Sequence, residues 1–186
     1  MSNAALGSAA VAAGLGAALM GLVVTGLGLT GHLRSWGRYA RQLTFGMAAA
    51  AVMAVVVMER ALITRDFTVK FVADNGSSTT PPVFNVATLW SALEGSILLW
   101  ALVLCGYAVA VAVKFRARGD DPMLAWAMLV MFAVSAFFYA LMVGPADPFI
   151  AVEDRPVEGR SRPGGLGRST AWTRTLEEES RRFSRI

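Results

Sequence analysis

Glu94 stands inside an otherwise apolar run, LWSALEGSILLW (residues 89–100), between Trp90 and Trp100 and beside the small residues Ser91, Gly95 and Ser96. A carboxylate in such a run is costly to place and marks a functional position by default. If the run is helical, Trp90, Glu94 and Leu98 stack along one stripe, with Ser91 and Gly95 forming a small-xxx-small stripe beside it. The small stripe suits close packing against another helix or a flat ligand. The spacing itself supplies no reaction, because the run holds no nucleophile–base pair, metal-ligand set or glycine-rich phosphate loop. Two readings of Glu94 stay open here: a structural pair with a cation such as Arg60, and a ligand site.

The elements that must position Glu94 are membrane helices. Of the 186 residues, 55% are hydrophobic and only 16% charged, and the mean hydropathy is +0.53. A soluble domain is about 45–50% apolar and about 25% charged. The fold class expected is an all-α integral membrane protein with four transmembrane helices, an external loop and a disordered C-terminal tail. The single cysteine, Cys105, excludes an intramolecular disulfide and any CxxC motif, and its apolar setting makes it a packing residue. The single histidine, His32, excludes a site with two histidine ligands within this chain alone. Seventeen Lys and Arg against thirteen Asp and Glu hint at nucleic acid, but the cations sit in loops and a tail beside the apolar runs, which excludes that partner.

Residues 4–30 carry no charge and exceed the roughly 20 apolar residues that span a bilayer. No positive stretch precedes them, so they read as a first span rather than a signal peptide. Ala10, Gly14 and Ala18, then Gly21, Gly26 and Gly28, give this span a thin surface for close helix approach. A second span covers about 43–63 and ends in Glu59 and Arg60, an unexceptional pair at the interface. In residues 64–85, Phe67, Val69 and Phe71 alternate with Thr68 and Lys70, the period of a half-buried strand. Asn75 and Gly76 mark a turn, and Pro81 and Pro82 delay the next helix. Third and fourth spans cover about 86–113 and 122–143. Trp90 then suits the aromatic belt, and Trp100, deeper, suits packing.

The loops after the first and third spans carry Arg34, Arg38, Arg41 and Lys114, Arg116, Arg118, whereas the loop 64–85 balances Arg65 and Lys70 with Asp66 and Asp74. The positive-inside rule therefore puts both termini outside and Glu94 about two turns below the outer end of the third span. Residues 1–145 read as the transmembrane region and 146–186 as a basic tail rich in Gly, Pro and Arg. That tail holds Arg155, Arg160, Arg162, Arg168, Arg174, Arg181, Arg182 and Arg185, an unusual load for an external segment. Glu177 and Arg181, and Glu178 and Arg182, have the spacing of pairs on a short helix. A proton site at Glu94 in a small transporter lacks a second intramembrane acid or an inverted repeat. A membrane scaffold, whose charges only set topology and helix pairing, is the alternative function.

The stretch RDFTVKFVADNGSSTTPPVFNVATLWSALEGSILLW resembles the early part of the CcmF-type cytochrome c biogenesis proteins, the haem lyase component. That family has a DFTVxYVA segment, a polar loop, then WGxHEGSLLLW and a helix. The match falls on residues 66–73 and on Trp90, Glu94, Gly95, Ser96, Leu98, Leu99 and Trp100. DPF at 147–149 and PVEGR at 156–160 resemble the segment after the family's fourth helix, so the resemblance covers about 4–160. Haem-handling proteins of nitrite reductase biogenesis share the pattern. Leu93 stands where many members have histidine. The family's later HPPxLY segment, further helices and tryptophan-rich haem-binding segment are not in this sequence, and the expectation is a truncated product or half of a split protein.

The resemblance implies a multi-pass inner-membrane protein that assists covalent haem attachment to the CxxCH cysteines of apocytochrome c on the outer face. Its implied partners are other cytochrome c maturation membrane proteins, a haem chaperone and apocytochrome c through the complex, and the lipid bilayer. Trp90, Glu94, Gly95, Ser96 and Trp100 form the candidate haem-site or partner-helix motif. No catalytic or metal-binding residue is assigned. With His32 placed in a cytoplasmic loop, the 186-residue chain is expected neither to hold haem by axial ligation nor to ligate it alone.

Overall fold

The computed structural model describes residues 2–33, 35–75, 89–90, 92–118 and 121–151. The PVEGR segment, the pairs at Glu177 and Glu178, and Ser91 lie outside them. Four long helices dominate: α1 (Asn3–Leu29), α2 (Trp36–Ile63), α4 (Leu93–Lys114) and α5 (Pro122–Val143), with a six-residue α3 (Lys70–Asn75). Each long helix is apolar and long enough to cross a membrane, as the all-α membrane fold requires. They close into a ring of neighbours in which α1 packs on α2 and α5, and α4 packs on the same two.

Two boundaries differ from the apolar runs. α2 starts at Trp36, ahead of the run, because GRYARQ is helical although polar. α4 starts only at Leu93, because the residues before it turn back on its first turn.

α1 is held by an unusually regular seam. Apart from Ala10, its buried positions Ala4, Gly7, Val11, Gly14, Ala18, Gly21 and Thr25 alternate spacings of three and four, the pattern of a left-handed helix pair. Every second seam position is glycine, and the series continues to Gly28. Each of these glycines accepts one aromatic ring: Phe149 at Gly7, Tyr139 at Gly14, Phe132 at Gly21 and Trp36 at Gly28. A Cβ at any of them would overlap the ring. Gly26, which its spacing groups with the thin surface, instead faces open space.

All four long helices meet at Tyr139. Its ring lies on Gly14 of α1, its hydroxyl donates to the Met47 carbonyl of α2 at 2.8 Å, and the Cys105 Sγ of α4 is 3.8 Å from the same oxygen. Cys105 is fully buried, in keeping with a packing role. Tyr139→Phe keeps the ring and removes the bond, and should cost about 1 kcal/mol of bundle stability, measurable by denaturant titration in detergent. An unchanged midpoint would show that the hydroxyl contributes nothing.

Both α1 and α2 end in a left-handed residue. At Gly31 (φ 77°) the amide donates to the Gly28 carbonyl and the His32 amide to that of Leu27, at 3.1 and 3.0 Å. Arg65 (φ 54°) plays the same part after α2, with the Asp66 amide donating to Ala61 at 2.9 Å. This pairing satisfies carbonyls that a helix end leaves open. Arg65 lacks glycine's freedom there, so the stop carries some backbone strain.

The alternation of Phe67, Val69 and Phe71 does not make a strand. The Asp66 carboxylate accepts from the Thr68 hydroxyl at 2.6 Å and the Thr68 amide at 3.3 Å, which folds the chain into a turn. From Lys70 it is helical, burying Val69, Phe71 and Val72 together. Val72 breaks the period-two pattern. The only sheet-like contact among the described residues is one bridge between Val69 and Ala151.

Candidate functional site

The segments carrying the family resemblance converge at one end of the bundle, the end that holds Asn3. Asn3 Nδ2 donates to Asp66 at 2.8 Å, tying the start of α1 to the turn after α2. The Lys70 amide donates to the Ile150 carbonyl at 2.8 Å, so α3 is joined to the chain after α5. Asp147 accepts the Phe149 amide at 2.8 Å, setting the DPF turn that drives Phe149 against Gly7. Residues 146–151 thus belong with the bundle, with Ala146 and Phe149 buried.

Gly95 and Ser96 explain how the tryptophan-containing segment joins this cap. Gly95 packs under the Leu89 carbonyl, where any Cβ would overlap that oxygen and come within 2.9 Å of Phe71 Cζ. Ser96 Oγ donates to the Trp90 carbonyl at 3.2 Å. The expected helical stripe of Trp90, Glu94 and Leu98 therefore does not form: Trp90 lies in a turn before α4, and only Leu98 is buried in the bundle. Gly95 meets the Leu89 carbonyl just before its own helix and the Phe71 ring of α3, rather than another long helix. Trp90 is half-exposed, consistent with a membrane-face position.

Trp100 departs from its expected packing role. It is 62% exposed, in a stripe with Leu93 and Tyr107 on the outward face of α4. Among the described long helices α4 packs mainly on α2 and α5, and Trp100 lies on the face turned away from both.

Glu94 sits in the first turn of α4, where the helix dipole favours an anion. It lines an open pocket of about 240 Å³ with Lys70, Phe71, Asp74 and Asp147. Arg60 is not among the described lining residues, and the cation that lines the pocket with Glu94 is Lys70, which the sequence pattern did not single out. Arg60 is exposed at the end of α2, whereas Glu59 beside it has a buried Oε2 with no hydrogen-bond partner among the described residues. Glu59 is thus not the plain interface residue its position suggested.

Haem, which the resemblance implies, would need axial ligands at this cap. His32 lies at the opposite end of α1, about 40 Å away at 1.5 Å per residue, with Nδ1 3.0 Å from Thr30 Oγ1. The pocket offers carboxylates and an ammonium, and among the described residues no group of three His, Cys, Asp or Glu side chains is placed to hold a metal ion. These residues do not fit axial ligation of haem iron.

No family model matches the chain. It is 34% identical to the cytochrome c-type biogenesis protein CcmF of Pseudomonas aeruginosa over 133 residues, covering 70% of the chain and 20% of that protein. Identity to the Escherichia coli CcmF is 36% over 108 residues, 58% of the chain and 16% of the relative. A solved structure titled cytochrome c heme lyase CcmF superposes with a TM-score of 0.75 at 33% identity, covering 83% of this chain and 26% of that one. By both sequence and fold the chain is of the CcmF type, over a stretch about a fifth of the length of the curated relatives it matches.

Proposed function

We propose that this segment is part of a cytochrome c maturation haem lyase, in which it shapes the end of the membrane domain where haem and apocytochrome c meet. The observation that carries the reading is the cap itself: DFT, EGS and DPF, the segments that resemble the family, are hydrogen-bonded or packed onto one another at a single end. Arg38, Arg41, Lys114, Arg116 and Arg118 lie toward the other end, and the positive-inside rule supports a cytoplasmic assignment for it. The cap would then face outward, where apocytochrome c is processed. Trp90, Glu94, Gly95, Ser96 and Trp100 act here as framework and contact surface, and histidines from outside this segment hold the iron. The partners are other maturation membrane proteins, with the haem chaperone and apocytochrome c engaged through the complex.

The test is made in cells whose c-type cytochromes depend on this chain. A tagged chain should retrieve other cytochrome c maturation proteins from detergent-solubilised membranes. Self-association alone would favour the scaffold. Glu94→Gln should lower holocytochrome c several-fold at an unchanged membrane level of the chain, as expected for a buried or half-buried charge with a specific task. Full cytochrome yield in that variant would remove Glu94 from the functional surface.

A further inference from the structure

At the Trp36 end a second pocket lies between the start of α2, the end of α4 and the start of α5. It measures about 160 Å³, and Arg38, Arg41 and Arg116 line it together with Trp36, Phe115 and Met128. No acid lines it. Arg41 is half-buried, and none of the described residues lining the pocket with it is a carboxylate. The pocket shares Phe115 and Leu124 with a neighbouring groove of about 250 Å³ formed mainly by Val111, Met123, Leu124 and Ala127. Lys114 and Arg118 lie 5.7 and 5.8 Å from the Phe115 ring centroid, which steadies the wall between the two. The acid at the groove, Asp121, is engaged as the cap of α5, with Oδ1 accepting the Met123 amide at 2.9 Å.

We propose that these two pockets form one site for an anionic phospholipid, with the phosphodiester among Arg38, Arg41 and Arg116 and an acyl chain along Val111, Leu124 and Ala127. The pairing of chemistries is what a lipid presents: a charged head beside an apolar chain, at the depth where a membrane helix meets water. Arginine suits the head because its planar fork matches phosphate oxygens two at a time. A basic pocket between helix ends is the expected form of an anionic-lipid site. The site lies at the opposite end of the bundle from the Glu94 cap and does not depend on the function proposed for that cap.

The experiment uses the full chain with whatever subunits accompany it, purified in mild detergent, and reads retained phospholipid by native mass spectrometry. Wild type should retain phosphatidylglycerol-class lipid in preference to phosphatidylcholine from mixed vesicles. Arg41→Gln with Arg116→Gln should lower retention about tenfold through loss of charge-assisted bonds. Arg41→Lys with Arg116→Lys preserves the charges that orient the helices, yet should still lower retention several-fold, because lysine cannot make the forked pair. Equal retention in wild type and the glutamine variant would overturn the site, as would a wild type that keeps no anionic lipid. Displacement of the lipid by excess inorganic phosphate would show a free-phosphate site instead. Loss on Lys114→Gln as large as in the pocket variants would show a diffuse basic surface.

Discussion

Gly14→Ala should weaken the attachment of α1 to the bundle by about 2–3 kcal/mol, the upper part of the range for overpacking a tight core. The added methyl overlaps the Tyr139 ring. A ring at the end of a free side chain would swing aside. This one is tethered, because its hydroxyl donates to the Met47 carbonyl at 2.8 Å, so relief requires either breaking that bond or moving α1 outward. The double variant Gly14→Ala with Tyr139→Ala should then lose less than the sum of the two single changes, by about 1 kcal/mol or more, as residues in direct contact do. Gly26→Ala is the control: with open space at its Cβ position, it should be neutral or gain up to about 1 kcal/mol from helix propensity. Denaturant titration of the purified chain in detergent reads all four proteins. Equal midpoints for Gly14→Ala and Gly26→Ala would refute a glycine seam.

Gly95→Ala should have the largest effect at the cap and little on the bundle. Its Cβ overlaps a backbone carbonyl, that of Leu89, which cannot rotate away as a side chain can. The turn carrying Leu89 and Trp90 must lift, breaking the 3.2 Å bond from Ser96 and opening the pocket that Glu94 lines. Hydrogen exchange at the amides of Leu89 and Trp90 should rise, while the denaturation midpoint of the four long helices stays near that of wild type. Holocytochrome c should fall further than in Glu94→Gln, because the whole cap is displaced rather than one charge removed. Ser96→Ala, which removes only one exposed hydrogen bond, should be much milder, within about 1 kcal/mol. Wild-type exchange at Leu89 in Gly95→Ala would show that the carbonyl does not need the glycine.

The four spans were legible because bilayer thickness sets their length and composition marks them directly. The cap was legible only as a resemblance. Its physical cause lies in contacts between residues far apart in the chain, Asn3 with Asp66 and Lys70 with Ile150, and local patterns do not encode such pairs. Phe67, Val69 and Phe71 misled because three alternating residues are too few to outweigh a side chain that bonds its own backbone, as Asp66 does with Thr68. The α1 surface was recognised through Ala10, Gly14 and Ala18, spaced by four. The governing period was seven, running Gly7, Gly14, Gly21 and Gly28, and it was visible in the letters. What gave it meaning was the matching spacing of Phe132 and Tyr139 on a helix more than a hundred residues later. For Glu94, a helical projection assumed that Trp90 was already in the helix. The glycine that made the stripe look thin is the one that lets the chain fold back before it.

The glycine seam also governs how this bundle can move. Sliding α1 by one turn along its axis would set Tyr139 and Phe132 against Ala18 and Thr25, or against Val11 and Ala18, in place of glycines. The next permitted register is a full heptad away, about 10 Å, which would carry one end of the helix deep into the bilayer. Piston and shear motions, the small axial slips by which many packed helices relay a signal, are therefore closed to α1. A conformational step involving this part of the protein has to proceed by tilting the four helices as a block, or by rearranging the cap while the block stands still.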